Sequence, residues 1–360
     1  MATNNGILLS KSPYYISELG SAGFTSTIEI RIWSGAFASE PAQPTYTLDK
    51  QTLSASETYV SFEISKLVND YFNHLPNPND LSASDRTETV WVNVKSFNGS
   101  VNRDDTWLAL DGYSNFLDGI NHDFTGTVFI SERILYHYDN LPLYLPVYVD
   151  GNDNANTVVF RLGASDVHIV DLTSFISSTN SYDKLQYVEA SGFALGDFDN
   201  VVVKNSVGTI LETLSIKTVN CTKYIPVEVQ FINSFGVNQT LVFDLVSREK
   251  INVERNTFKR QTLEYTNGVP SYNTGKHVYQ AYNSNVREEL TLNTNYIDES
   301  LNDTLGELIS SDAVWSKVDS ITEPLNVKTN SLDYKKRVNE GLVNYTIQFD
   351  KSFNKRNTIY

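Results

Sequence analysis

One cysteine, Cys221, occurs in 360 residues. A lone thiol excludes an intramolecular disulfide framework and any cysteine-based zinc site. It is compatible with assembly in a reducing cytoplasm, and a small buried thiol is the structural alternative to a reactive one. Methionine occurs once, at the start, and charged residues make up only 20% of the chain. Polarity therefore comes from Asn, Ser and Thr. Basic residues are the scarcer sign: 28 Lys+Arg against 43 Asp+Glu leave a net charge of −15. An acidic chain repels nucleic acid unless a basic patch is segregated. No basic run exceeds Lys335, Lys336, Arg337, so no nucleic-acid partner is expected. No segment reaches the ~18 apolar residues of a spanning helix, and no membrane insertion is expected. Between Met1 and Tyr15 no charged region precedes an apolar run, so a secretory signal is not expected either.

What is present is aromatic and strand-like. Tyr occurs 21 times, Phe 18 and Trp 4, which excludes disorder over most of the chain. In Thr27 to Trp33 the isoleucines alternate with Glu29 and Arg31, the pattern of a half-buried antiparallel strand. Similar runs are Val90 to Val94, Thr127 to Ile130, Leu143 to Val149, Val158 to Leu162 and Val201 to Lys204. Ile225 to Phe231, Thr240 to Leu245, Ile251 to Val253 and Tyr345 to Phe349 follow. Turn signals such as Asn98-Gly99, Asp150-Gly151 and Asn267-Gly268 separate them. Two segments read as helices. Ile64, Leu67, Val68, Tyr71 and Phe72 share a helical face over 63–73, with Ser61 as cap. Leu301, Leu305, Leu308 and Ile309 do so over 298–311, with Asp298 or Ser300 as cap.

The expected fold class is therefore mainly β: several antiparallel sandwich- or barrel-like domains with two short helices. Composition shifts divide the chain into 1–140, a β-sandwich with the first helix; 141–215, a small β domain; and 216–360, a β domain with the second helix. Tyr265 to Asn285 reads as a Tyr/Asn-rich loop.

Catalytic motifs are missing. There is no G-x-S-x-G elbow, phosphate-binding glycine loop or H-E-x-x-H pair. His74, His122, His137, His168 and His277 are scattered. The densest carboxylates are Asp104, Asp105, Asp111, Asp118 and Asp123. They read either as paired acids for glycoside hydrolysis or, more simply, as turn residues in Asp111-Gly112 and Asp118-Gly119. Asp150 to Asn154 begins like a calcium loop, but Ala155 and Arg161 replace the glycine and glutamate that such a loop needs. No metal or other cofactor is expected, and no enzymatic activity. The tyrosines suit protein interfaces better than sugar stacking.

Ser12-Pro13-Tyr14-Tyr15-Ile16, the strand ending Ile32-Trp33, and Pro44 to Lys50 resemble motifs of virion structural proteins of tailed phages infecting Bacteroidetes. The stretch Ala109 to Asn121, containing Leu110-Asp111-Gly112-Tyr113, Phe116 and Gly119, is similar to a recurring segment of that family. So are Leu290 to Asn295 and Asn326 to Phe349. The resemblance implies a β-rich part of the tail tip or baseplate, without catalysis. It implies a homo-oligomer, a ring or other symmetric assembly, meeting other phage tail proteins in a virion assembled in the host bacterial cytoplasm. The alternative expectation is a carbohydrate-binding adhesin that contacts a host-surface glycan, with a polysaccharide depolymerase as a third. Asp111, Tyr113 and Phe116 are the expected interface or ligand residues.

Overall fold

The computed structural model describes residues 3–54, 56–74, 76, 90–97, 101–122, 126–139, 141–149, 155–172, 184–220, 223–318, 321–334 and 342–355. The chain is mainly β, built from several sheets that, among the described residues, are antiparallel apart from two parallel pairings and are accompanied by two short helices. Cys221, Asp123, the Asn98-Gly99 pair and the segment Asp150 to Asn154 lie outside the described residues.

The first group of strands is β1 (Thr3–Leu9), β2 (Tyr15–Leu19), β3 (Thr25–Ser34), β4 (Tyr46–Gln51), β5 (Tyr59–Glu63), β6 (Val90–Phe97) and β7 (Val101–Leu110). Five form a sheet in the order β1-β7-β6-β3-β4, and β2 pairs with β5. The alternation seen in β3 buries Ile28, Ile30 and Ile32 against Val92, Val94, Val60 and Phe62. Its opposite face is covered as well. Trp33, Trp91 and Leu108 pack there against Phe129, Tyr187 and Val237 from later in the chain. Arg31 is consequently buried rather than solvated, and its guanidinium is paired with Glu29 at 2.7 Å and Glu40 at 3.7 Å. Pairing is what makes a buried cation tolerable.

The first helix is shorter than the 63–73 periodicity implies. α1 spans Ser65–Val68, and Asn69–Tyr71 tighten into a 3-10 turn before Phe72 turns extended. Ser61 is not its cap but lies within β5, and Glu63 accepts from Ser65 N at 3.0 Å. A spacing of three and four fits a 3-10 turn nearly as well as an α-helix over so few residues.

The middle group is β8 (Ile134–Tyr138), β9 (Leu143–Val149), β10 (Thr157–Leu162), β11 (Ser165–Asp171), β12 (Lys184–Ala190), β13 (Asn200–Lys204) and β14 (Ile210–Val219). The sheet β11-β10-β13-β14-β8 and the pair β12-β9 enclose Leu145, Val147, Phe160, Phe198 and Val201. β8 lies before residue 141 yet runs parallel to β14, so the middle sheet draws on chain assigned to 1–140 from sequence. Thr127 to Ile130 makes no strand, only a bridge of Val128 to Val147. Phe129 N donates to Pro146 O, but proline has no N–H to return the bond, and the ladder stops.

The last group is β15 (Val227–Ile232), β16 (Asn238–Phe243), β17 (Arg248–Lys259), β18 (Leu263–Thr266), β19 (Val269–Tyr272), β20 (Tyr279–Asn293), β21 (Ile297–Asp298), β22 (Val314–Val318), β23 (Ile321–Val327), β24 (Leu342–Val343) and β25 (Thr346–Lys351). Seven form a sheet in the order β16-β15-β22-β23-β25-β20-β17. The second helix, α2 (Asn302–Ser310), is preceded by a 3-10 turn that Asp298 caps by accepting from Ser300 N at 3.1 Å. Leu301, Leu305 and Leu308 bury the expected face against Val229, Phe231 and Ile347.

The segment Tyr265 to Asn285 is not a loop. β17 and β20 run together as a long hairpin arm, and β18 and β19 close its tip through Asn267-Gly268, both at positive φ. That is the primed turn whose twist matches the strands. β17 is almost wholly exposed, and β20 becomes buried only toward its end at Val286 to Asn293. Phe258, Tyr265, Tyr272, Tyr279 and Tyr282 all stand in solvent. With neither face covered, apolar alternation is confined to Ile251 to Val253, so a pattern-based reading finds only that part of β17 and misses β18, β19 and the outer half of β20.

Candidate functional site

β7 ends at Leu110, and the chain then forms a loop, residues 111–122, fixed at both ends. Asp111 is buried and accepts from Ser10 Oγ at 2.9 Å, Lys11 Nζ at 2.9 Å and His74 Nε2 at 2.7 Å. Burial alone would push its carboxyl up. The hydrogen bonds from His74 and Lys11 and the Lys11 charge outweigh that and hold it below the usual carboxylate value. Lys11 also reaches Asp312 at 3.0 Å, tying the first group of strands to the last.

Gly112 follows because nothing larger fits. A β-carbon there would come within 2.6 Å of Phe235 C and Ser234 O. Tyr113 N donates to Ser234 O at 2.8 Å, and its hydroxyl lies 3.2 Å from Ser310 Oγ on α2. Ser114 N donates to Ser12 Oγ at 2.7 Å. At the far end Asn121, at φ 53°, takes both backbone polar groups of Tyr15: it accepts from Tyr15 N at 2.6 Å and donates to Tyr15 O at 2.8 Å. The Ser12 to Tyr15 motif and the Asp111 to Asn121 motif are thus two halves of one structure.

Between these anchors, Asp118 accepts from Asn115 N at 2.8 Å and closes a single turn over Phe116–Asp118. That turn holds Phe116 and Leu117 98% and 94% exposed, with Ile120 61% exposed beside them. Three apolar side chains are thus held open to solvent on a loop whose two ends are pinned.

Beside the loop, facing α2, is a cleft of about 600 Å³ whose lining includes Tyr113, Asp118, His122, Asp303, Glu307 and Tyr334. Much of its lining is polar. Glu307 accepts from Ser131 Oγ at 2.5 Å and Ser234 Oγ at 2.7 Å, and burial nevertheless pushes its carboxyl up. Glu132 does not line this cleft; enclosed at a second, largely apolar cavity beside Gln239, Leu301 and Leu305, it accepts from Gln239 Nε2 and Thr304 Oγ1 at 2.6 Å, and burial raises its carboxyl too. These bonds join the middle segment to both β16 and α2.

Within the acidic run, Asp104 and Asp111 are not brought together. Asp104 bonds Asn93 at 2.8 Å, and Asp105 pairs with Arg103 at 2.9 Å. Asp104 lies on β7 seven residues before Asp111, roughly 23 Å at the rise of an extended strand. A glycosidase pair sits within about 5–10 Å. Of the histidines, His74 serves Asp111 and His122 lines the cleft. His137 is buried against Phe198, and desolvation lowers it. Among the described residues no group of three or more His, Cys, Asp or Glu could hold a metal ion.

Of the expected site residues, Asp111 is an anchor, Tyr113 lines the cleft and Phe116 tops the exposed tip. Asp303, Glu307 and Tyr334 are not marked by the sequence as site residues. Asp303 and Glu307 stand four apart on α2, but the loop residues and Tyr334 that line the cleft with them come from segments far away in sequence, and no local pattern marks that meeting.

No protein-family model and no curated protein matches the chain. Among solved structures, the ectodomain of the teleost fish polymeric Ig receptor is similar at 7% identity. The match covers 62% of this chain and 98% of that one, with a TM-score of 0.23.

Proposed function

We propose that this chain is a structural component of a tailed bacteriophage virion, in the tail tip or baseplate, and that it acts by assembling with copies of itself and with other tail proteins. It performs no catalysis in this role. The β17–β20 arm is the observation that carries this reading. A two-stranded hairpin with both faces in water is marginal by itself, and exposing Phe258, Tyr265, Tyr272, Tyr279 and Tyr282 on it gains nothing for the isolated chain. Such an arm is stabilised by what it docks on. The pinned Phe116-Leu117 tip supplies a second contact of the same kind. Co-expression with the products of neighbouring genes tests the proposal. A stable complex with a tail hub or tape-measure protein is the expected result, and a chain that purifies alone from all of them overturns it.

The cleft beside α2 favours a second reading, a host-glycan adhesin. Tyr113 and Tyr334 offer ring faces, and Asp118 and Asp303 offer acceptors for sugar hydroxyls. A glycan array gives a binder whose signal falls on Tyr334→Ala if this is right, and no binder if it is wrong.

A further inference from the structure

β17 is the outermost strand of the seven-stranded sheet. Its ladder to β20 uses one side of the strand. The main-chain N–H and C=O groups of alternate residues point the other way, toward no described strand. Natural sheets blunt such an edge with proline, bulges or a single sign of charge, because an open edge recruits another strand. β17 contains no proline, its register shift comes only after Asn256, and its charges alternate in sign: Arg248, Glu249, Lys250, Glu254, Arg255.

The order of those charges is self-complementary. Two antiparallel copies of one strand, related by a two-fold axis normal to the sheet, keep every residue on its own face. Only registers that pair residues of like parity are then allowed. Placing Asn252 opposite its own copy sets Glu249 against Arg255, Lys250 against Glu254 and Ile251 against Val253. Each of these pairs occurs twice. Glu249, Ile251, Val253 and Arg255 share one face, and Lys250, Asn252 and Glu254 share the other. Moving the axis to Ile251 leaves Glu249 facing Val253. Moving it to Val253 sets Arg255 on Ile251 and Glu254 on Asn252. Ile251 and Val253 are 53% and 43% exposed, so the favoured register also covers apolar surface that the single chain leaves in water.

We propose that the chain forms a two-fold dimer by antiparallel pairing of β17 with β17 of a second copy, in the register centred on Asn252. The two seven-stranded sheets then become one continuous sheet. Opposite charges directly across an antiparallel pair stabilise it and like charges oppose it, so the edge accepts its own copy and resists most other strands. The inference gives the assembly reading a specific contact and rests on that reading only for its setting in a virion.

Sedimentation equilibrium of the full chain tests it, with thermal melts as the folding control. The wild type forms a dimer. Arg255→Glu sets two glutamates across each contact and raises the dimer dissociation constant roughly tenfold. Glu249→Arg in the same chain exchanges the two partners and restores dimerisation. In a Cys221→Ser background, Asn252→Cys crosslinks to its own copy on mild oxidation, whereas Glu254→Cys, displaced from the axis, does not. A monomer at all concentrations overturns the proposal. A dimer indifferent to Arg255→Glu, or one not crosslinked through Asn252→Cys, also overturns it, because the contact is then elsewhere. Absence from a tail complex would instead count against the virion reading and leave a crosslinked dimer standing.

Discussion

A β-carbon on Gly236 would lie 2.5 Å from the backbone nitrogen of Gly112, so these two glycines hold the 111–122 loop against the β15–β16 turn main chain to main chain. Tyr113 N to Ser234 O, at 2.8 Å, is the hydrogen bond that this approach permits. Gly112→Ala overpacks the contact and is expected to cost about 1–3 kcal/mol. Gly236→Ala adds strain at its φ of +80°. Chemical denaturation should show both losses, and limited proteolysis should cut the variants near the loop sooner than the wild type.

Asp111 is expected to matter at neutral and mildly acidic pH and to stop mattering in strong acid. Its carboxyl is held below the ordinary value, so its contribution is present above the unfolded-state pKa and lost as pH falls through the folded one. Asp111→Asn removes the charge that Lys11 and His74 bond to and should cost about 1.5–3 kcal/mol at pH 7. Urea midpoints at pH 7 and pH 3 check this. The gap between wild type and variant should shrink at the lower pH.

Glu132 acts in the opposite sense. Burial raises its carboxyl, so the folded chain prefers the protonated acid. The stability from that group is complete below the unfolded-state pKa and is lost as pH rises through the folded one. Glu132→Gln, which keeps an acceptor for Thr304 and cannot ionise, should gain stability over the wild type at pH 8 and none at pH 4. Glu132→Ala, which strands Gln239 and Thr304, should lose about 1–3 kcal/mol at both. Melting curves of the three proteins at the two pH values decide it.

Different parts of the molecule are legible from sequence to different degrees. Ile28, Ile30 and Ile32 declared β3 because one face meets a core at every second residue. Leu301, Leu305 and Leu308 declared α2 for the equivalent helical reason. Asn267-Gly268 marked a tight turn, yet the strands around it stayed hidden because Tyr265, Tyr272 and Tyr279 meet solvent on either face. Asp111 could be placed in a turn, but its burial by Lys11 and His74 depends on chain about 100 and 37 residues away. Glu132 and Thr304 are 172 residues apart and share no local pattern.

The Phe116 tip should separate binding from folding. Phe116→Ala with Leu117→Ala changes side chains that touch little else, so stability should move by no more than about 0.5 kcal/mol. Association with a tail partner should weaken roughly tenfold or more if these residues anchor the contact. Affinity measured beside a melting curve distinguishes this from general damage.

Hydrogen exchange across residues 260–285, the part of the arm beyond the β17 pairing, in the chain alone and in its complex with tail proteins, tests the assembly account most directly. The arm's amides should exchange orders of magnitude more slowly in the complex, because its exposed strands become covered and paired. Equal exchange in the free and complexed chain would contradict the account, since the arm would then be doing nothing in the assembly.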